Sequence, residues 1–394
     1  PTAGGYRPAL TGTLSLVGDS VTSEGLFVRV GDNRAEINLA ARGLFAETVN
    51  VEADITSDRF DLGPLLKSGA GSVAASRQQE MVSRKQSPDE EPGPFYIPVH
   101  AKGGLTIKET VWRGLKVDNF IANYEFKDNV LEIKRMEGQA AGGSFSNSAK
   151  VDLNKKGLEY SASLALKTIQ VEPLLVAVLP KAAGSLLGAI NLDLNISGGG
   201  TQWETIRKKL GGQGEALLTD GRVVSPELVK GFVSFLQLPD MSEIRFNNFK
   251  GNIKIVDGNV MVDSSLSSEQ IKLFPKGSIG LDGSLGLSVD TRLSPQLSGR
   301  LDAGGEVTKY LADKDGWSQV PLLVSGNIAS PRFGLDPKGV KSKSVQVIGQ
   351  ELEKQIDKLL DKRKKSTAEG EQKPRESSTA EQLLKDSLRN LLGN

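Results

Sequence analysis

Residues able to perform acid–base, nucleophilic or metal chemistry are scarce in this 394-residue chain. Histidine occurs once, at His100, and cysteine is absent, which excludes disulfides and thiolate metal ligands. A Ser-His-Asp triad would need His100, yet the chain has no Gly-x-Ser-x-Gly elbow, no Ser-x-x-Lys motif and no Gly-Lys-Ser/Thr phosphate loop. His100 follows Pro98 and Val99 in a strand-like run, so we interpret it as structural. The sequence predicts no catalytic residue, no metal site and no cofactor.

Two short motifs imitate ligand-binding sequences. GAGSVA (Gly69–Ala74) resembles part of a dinucleotide fingerprint but lacks the strand before it and the helix after it. KRKK (Lys362–Lys365) has no interleaved aromatic residues, which favours a solvated helix end over a nucleic-acid site. The net charge of +1 provides no general attraction to polyanions. Nucleic acid is therefore not expected as a partner.

Alternating polarity predicts the elements that would position any functional surface. From Leu158 to Leu166 and from Ile190 to Ile196, apolar residues occupy every second position, which places them on one face of a strand. The 44 glycines and several Asp-Gly pairs are typical of hairpin turns. We predict a mainly β fold, a long antiparallel twisted sheet or β-groove of hairpin repeats with a few capping helices and an α-helical C-terminal tail.

Composition divides the chain into four segments. Residues 1–66 are predicted to form a β-strand module, and residues 67–94 a flexible linker or loop. Residues 95–337 would form the main β-groove region, and residues 338–394 an amphipathic basic helical tail. Capping helices are expected in VEPLLVAVLP, TQWETIRKKLGG and SPELVKGFVSFLQLP, where Thr201 and Ser225 are the N-cap candidates of the second and third.

An internal repeat supports a hairpin architecture. NFIANYEFKDNVLEI (Asn119–Ile133) aligns with NFKGNIKIVDGNVMV (Asn248–Val262), and each segment carries an Asp-Asn or Asp-Gly turn. A repeated β-meander is the simpler interpretation. Duplication of a lipid-holding module is the alternative.

The C-terminal tail is mildly basic and amphipathic. Residues 338–394 contain 13 basic and 9 acidic side chains, a net charge of +4. Apolar residues recur at helical spacing, which suits a membrane surface or a partner groove. A helix packed on its own sheet is an equally open interpretation. The residues predicted to form the contact face are Leu352, Ile356, Leu359, Leu384, Leu388 and Leu391.

Four stretches resemble the AsmA family of bacterial envelope proteins. They are WETIRKKLGGQGEALLTDGRVVSPELVKGFVSFL, FNNFKGNIKIVDGNVMVDSSLSS, GSIGLDGSLGLSVDTRLSP and VPLLVSGNIASPRFGLDP. The similarity runs from Phe95 to Pro337 and, more loosely, from Ala9 to Leu66. It implies a periplasmic protein involved in outer-membrane biogenesis and similar to bridge-like lipid transporters with a long β-groove. It also implies attachment to the inner membrane, for which we expect an N-terminal segment not present in this chain.

We expect a non-enzymatic protein that holds acyl chains on its apolar sheet face. Its partners would be phospholipid or another acyl lipid, a membrane surface contacted by the tail, and envelope proteins. A scaffold that influences outer-membrane protein assembly without carrying lipid is the alternative, and an unrecognised hydrolase is a third. In a closed β-sandwich the same residues would form an ordinary core. The residues predicted to line the lipid trough are Tyr160, Leu164, Leu166, Ile190, Leu192, Leu194, Ile253, Ile255, Val260, Val262, Leu285, Leu287 and Val289.

Overall fold

The protein is mainly β, as the alternating sequence predicts. The computed structural model describes residues 9–61, 90–178, 180, 183–224, 226–236, 238, 241–301 and 315–336. These residues contain seventeen strands and four helices. They divide into two compact units: the first consists of the described residues within 1–218 and 253–258, and the second of those within 219–252 and 259–394.

Unit 1 contains ten complete strands that pair in the order of the chain. Tight turns connect most neighbours, and the Asp128-Asn129 turn has φ values of 50° and 57°, as its sequence predicts. The strands are β1 (Ala9–Val17), β2 (Ser20–Val30), β3 (Asn33–Arg42), β4 (Val49–Asp61), β5 (Val99–Trp112), β6 (Leu115–Lys127), β7 (Val130–Ala140), β8 (Gly143–Asp152), β9 (Glu159–Gln170) and β10 (Leu186–Gly199).

The sheet of unit 1 is mixed, which corrects the expectation of a purely antiparallel sheet. Strands β4 and β5 run parallel, with Val49 opposite Val99 and Ile55 opposite Leu105. Parallel neighbours cannot be joined by a tight hairpin. The long segment between Asp61 and Val99 supplies the connection that this pairing requires. Strands from the predicted first module and from the predicted main region therefore lie side by side in one unit.

One margin of the unit 1 sheet is closed by helix α1 (Val171–Val178). Its Ala177 is 1% exposed and packs with Leu115, Val117 and Ala140 of β6 and β7. Helix α2 (Trp203–Lys209) follows β10 and lies against it. Its N-cap is Gln202, without a side-chain capping bond, so the predicted cap at Thr201 is wrong. Thr201 instead binds Glu91 through both its amide and its hydroxyl.

The opposite margin carries an extended segment, residues 90–98, which we call the strap. The Phe95 amide donates to the carbonyl of Leu153 at 2.9 Å, and the Val49 amide donates to the carbonyl of Pro98 at 3.0 Å. At the other end, Glu91 accepts the Thr201 amide at 2.8 Å. The strap therefore runs along the strand ends from the loop after β10 to the start of β4. Its residues were predicted in part as linker and in part as strand region.

Strands β11 (Gly211–Val223) and β12 (Ile244–Val256) contribute residues to both units. The other elements of unit 2 are α3 (Pro226–Leu236), β13 (Asn259–Ser267), β14 (Ile271–Gly280), β15 (Ser284–Leu293), α4 (Pro295–Leu301), β16 (Ser318–Asn327) and β17 (Ser330–Leu335). Strands β13 to β17 pair antiparallel in the order of the chain. Helix α3 lies against β17 and helix α4 against β15. Helix α4 was not predicted.

A β-bulge in β6 changes which of its side chains point to the apolar side of the sheet. The pairing register with β7 shifts between Asp118 and Ile121, and Asn119 between them has a φ of 52°. An extra residue of this kind changes which side chains point to which face. Val117, which precedes the bulge in the chain, is buried in the cluster under α1. The predicted C-terminal helical tail, residues 338–394, lies outside the described residues.

Candidate functional site

The candidate site of unit 1 is the apolar side of its sheet. Residues directly opposite each other on paired strands share a face, so successive pairings trace continuous rows. We call two of these rows the first and second row. The first comprises Val51, Ala101, Phe126, Leu131, Val151 and Tyr160. The second comprises Ile37, Ile55, Leu105, Ala122, Met136, Asn147, Leu164 and Leu194.

The side chains of these rows are half-buried, apart from the buried Ala122. Neighbours within a row cover part of each side chain. Of the described elements that pack on this sheet, α1 lies at one margin and α2 against β10. All ten complete strands of unit 1 belong to this one sheet, so none of the described strands of unit 1 forms a second sheet over the two rows. The rows therefore retain accessible hydrocarbon surface, unlike the core of a β-sandwich.

Glycines of β11 lie close to aliphatic side chains of β10 and β12. A Cβ at Gly214 would lie 2.2 Å from the Asp193 carbonyl oxygen and 3.0 Å from the Leu194 side chain, and one at Gly212 would lie 3.3 Å from Ile255. The backbones approach too closely here for a larger residue. The predicted trough residues Leu194 and Ile255 thus lie beside glycine positions of β11.

Polar side chains within the apolar side are satisfied by the protein itself. The Tyr124 hydroxyl donates to the Ala53 carbonyl at 2.9 Å, the Ser57 hydroxyl to the Arg34 carbonyl at 2.5 Å, and Asn147 accepts the Ala165 amide at 3.1 Å. Burial, together with the charge of Asp54, raises the pKa of Tyr124. These groups offer few free hydrogen bonds to a polar ligand, whereas hydrocarbon needs none.

The reverse side of the same strands is charged. Lys102 pairs with Glu52 at 3.3 Å, and Lys108 pairs with Asp58 at 2.6 Å. The contact with Asp58 raises the pKa of Lys108 through a hydrogen bond and charge attraction. Exposed pairs of this kind contribute little to stability. Their significance is that charge is confined to one side of the sheet and hydrocarbon to the other.

The predicted trough residues of unit 1 lie along this apolar side. Tyr160 and Leu164 belong to the two rows, and Leu166 and Leu192 lie opposite each other on β9 and β10. Ile190 is opposite the buried Ile169 near α1. All of the unit 1 residues in the prediction are half-buried: Tyr160, Leu164, Leu166, Ile190, Leu192, Leu194, Ile253 and Ile255.

The predicted trough residues of unit 2 have a different environment. Val260, Val262, Leu285 and Leu287 are half-buried. Val289 is only 7% exposed because it lies between Pro275 and Leu322 on the neighbouring strands and within a packed core. A ligand could not reach Val289 without displacing protein.

Helix α3 completes that core. Its Val229 and Phe232 are 2% and 4% exposed. The ring of Phe232 meets Phe333 of β17 edge to face, with centroids 6.3 Å apart. Leu293 and Leu322 are fully buried beneath this layer of unit 2.

His100, the single histidine, lies in β5 with one polar side-chain partner. His100 Nε2 lies 3.2 Å from Asp128 Oδ1 at an exposed position. Within the described ranges, no group of three His, Cys, Asp or Glu side chains could bind a metal ion. None of the described helices is long and apolar enough to cross a bilayer.

Sequence reasoning missed some residues of the apolar side. Phe126, Leu131 and Val151 belong to the first row although they were not predicted to line the trough. The alternation within their own strands is the signal that could have identified them. The predicted tail residues Leu352, Ile356, Leu359, Leu384, Leu388 and Leu391 fall outside the described part of the chain.

Comparison with known proteins supports the resemblance indicated by the sequence. A model of the AsmA family matches residues 77–264. This range covers β5 to β10 of unit 1 and the internal repeat, but it stops before Leu285. No curated protein and no solved structure matches the chain. Residues 77–264 are therefore similar to the AsmA family.

Proposed function

We propose that this protein binds phospholipid acyl chains on the apolar side of unit 1 and moves lipid within the bacterial envelope. In this proposal it acts in the periplasm, supports outer-membrane biogenesis and catalyses no reaction. The observation that carries the proposal is the pair of largely apolar, mostly half-buried rows crossing β4 to β9, over which none of the described strands of unit 1 forms a second layer. The similarity of residues 77–264 to a family of bacterial envelope proteins supports the location.

The energetics favour such a surface. Exposing two chains of about sixteen carbons to water costs on the order of 25 kcal/mol at roughly 0.8 kcal/mol per methylene. An apolar row offsets much of this cost while the polar headgroup remains hydrated. A strand spacing of about 4.8 Å makes the first row roughly 24 Å long. That length gives an acyl chain a continuous path rather than an isolated pocket.

Lipid extraction from the purified protein, followed by mass spectrometry, tests the proposal. We expect phospholipid to copurify with the wild type. Leu192→Asp combined with Leu194→Asp should abolish this capture, because a carboxylate beside an acyl chain would lose its hydration. The double variant should remain folded, since both positions are half-buried.

A matched control places two carboxylates on the polar side. Thr106 and Ser161 are exposed there, so Thr106→Asp with Ser161→Asp should leave lipid capture unchanged. Undiminished lipid in a folded Leu192→Asp, Leu194→Asp protein would contradict the proposal. A wild-type protein free of lipid and unable to take up added fatty acid would do so as well.

A scaffolding role is the second candidate, and the packed face of unit 2 favours it for that region. Leu322 and Leu293 are fully buried, so the centre of this face is a stabilising core. If purified protein captured envelope proteins but no lipid, the scaffold proposal would replace the first.

A further inference from the structure

The strap margin of unit 1 exposes a line of large apolar side chains. Phe45 is 83% exposed, Tyr96 78% and Trp203 54%, while Phe95 and Ile97 are each 40% exposed. Aromatic residues make up only 5% of the chain, yet four of them lie here with their surfaces open. Exposed apolar groups that cluster, rather than occur singly, mark interaction surfaces. We call these five residues the aromatic margin.

Hydrogen bonds fix the aromatic margin along one edge of the sheet. Phe45 lies in the loop that leads into β4, and the first amide of β4 binds the end of the strap. Tyr96 lies in the strap itself, where the Ile97 amide donates to Asn129 Oδ1 at 2.7 Å. Trp203 begins α2, directly after the Glu91–Thr201 contact. The line therefore spans β4 to β10, about 29 Å at about 4.8 Å per strand.

The two margins of this sheet differ in what they present. At the α1 margin, Ile107, Ile169 and Ala177 are between 1% and 2% exposed. The large apolar side chains exposed on α1 itself are the aliphatic Val176 and Val178, at 48% and 45%, and not aromatic rings. At the strap margin, aromatic side chains face outward next to the first row, which includes Phe126 and Tyr160. Hydrocarbon entering from the strap margin would meet the first row directly.

The charge of the strap margin indicates the kind of surface that it fits. Segments 42–48, 90–98, 127–129, 152–159 and 201–210 contain seven basic and seven acidic residues, a net charge of zero. A polyanion or an acidic protein gains no net attraction there. A zwitterionic lipid surface also has no net charge, so it suits the neutral strap margin. Tyrosine and tryptophan combine an apolar ring with a polar tip, which suits the boundary between headgroups and acyl chains.

We propose that the aromatic margin docks unit 1 on the surface of a zwitterionic phospholipid bilayer, with its rings at headgroup depth. This inference rests on the proposed function, because it names the membrane surface from which acyl chains reach the first row. It concerns a contact separate from the basic C-terminal tail. Because the margin is neutral, docking depends on ring burial rather than on anionic lipid.

Cosedimentation with phosphatidylethanolamine–phosphatidylcholine vesicles tests the docking. Phe45→Ser, Tyr96→Ser and Trp203→Ser combined should lower vesicle binding by at least about tenfold, since three rings lose their interfacial burial. Wild-type binding should persist at high salt and without phosphatidylglycerol. The matched control is Leu217→Ser, Met261→Ser and Leu323→Ser, which removes three apolar side chains that are 38%, 40% and 41% exposed and do not belong to the aromatic margin.

The outcomes separate docking from lipid capture. Vesicle binding by the margin triple variant at the wild-type level would overturn the inference, as would a wild type that binds only anionic vesicles at low salt. Uptake of a water-soluble fluorescent fatty acid without vesicles should be normal in the margin variant. The Leu192→Asp, Leu194→Asp protein should show the reverse behaviour, binding vesicles but taking up no fatty acid.

Discussion

The apolar faces of the two units arise from the same strand pattern but differ in what covers them. In unit 2, α3 and α4 pack on the face, and Leu293 and Leu322 are fully buried. In unit 1, α1 closes one margin, while Leu131 and Leu164 in the rows stay half-buried. Alternation specifies that a strand has an apolar side. The elements packed against that side decide whether it becomes core or stays accessible.

The largest expected effect distinguishes the covered face from the open one. Leu322→Ala should destabilise unit 2 by about 2–5 kcal/mol, because the cavity left in a packed core cannot collapse fully. Leu164→Ala in unit 1 should cost at most about 1 kcal/mol, since its side chain loses less burial. Urea unfolding followed by Trp317 fluorescence for unit 2, and by Trp112 and Trp203 for unit 1, measures both.

Bound lipid should sharpen this difference. If an acyl chain covers the second row, Leu164→Ala becomes more costly in lipid-loaded protein, whereas the cost of Leu322→Ala stays constant. If both substitutions lowered the free energy of unfolding equally in lipid-free protein, the two faces would be covered alike.

An intermediate effect is expected where an aromatic ring rests on glycine. A methyl group at Gly198 would lie 2.9 Å from the Tyr160 ring, so Gly198→Ala must displace that ring from the end of the first row. We expect a loss of about 1–3 kcal/mol from overpacking, together with weaker fatty-acid uptake. Gly334→Ala in unit 2 is the control, because no atom lies within 4 Å of the added group. If Gly198→Ala changed neither the stability nor the fatty-acid uptake, the Tyr160 ring would have room to move.

The smallest effect concerns the strap and depends on pH. Hydrogen bonds from the side chains of Thr205 and Thr201 lower the pKa of Glu91 from 4.5 to about 2. Because the folded-state pKa is depressed, the stabilisation by this carboxylate is complete above about pH 4.5 and is lost as the pH falls towards 2. Glu91→Gln should remove that dependence.

Amide hydrogen exchange at Thr201 and Gln202 provides the measurement. In the wild type, protection relative to free peptide should decrease over this acidic range, whereas Glu91→Gln should be less protected at neutral pH and nearly constant. The amides of the unit 2 core near Leu322 serve as an internal control. An unchanged profile in the variant would show that Glu91 does not hold the strap.

Much of the fold could be predicted from the sequence because its signals are local. The Asp128-Asn129 and Asp257-Gly258 turns have the positive φ values expected of their residue types. Three of the four described helices lie in segments predicted to be helical. Helix α4 was missed because PQLSGRL is short and carries no strong apolar period. Thr201 was assigned to a cap because its competing partner, Glu91, is 110 residues away in sequence.

The candidate site was harder to predict, because covering is a tertiary property. Leu192 and Leu194 in unit 1 resemble Leu287 and Val289 in unit 2 as sequence patterns. Nothing in the sequences of those strands indicates that α3 and α4 pack on the face of unit 2. The parallel contact of β4 with β5 was also missed, since pairing direction depends on the path of the intervening chain rather than on the strands themselves.

The bulge at Asn119 has a consequence for how this protein can change in length. Adding or deleting one residue inside a strand turns every later side chain to the opposite face, which would present hydrocarbon to water and charge to the interior. Changes of two residues preserve the facing, as do changes within turns. We therefore expect natural length variation to accumulate at hairpin tips, and single-residue differences within strands to occur where an irregularity such as Asn119 can absorb them.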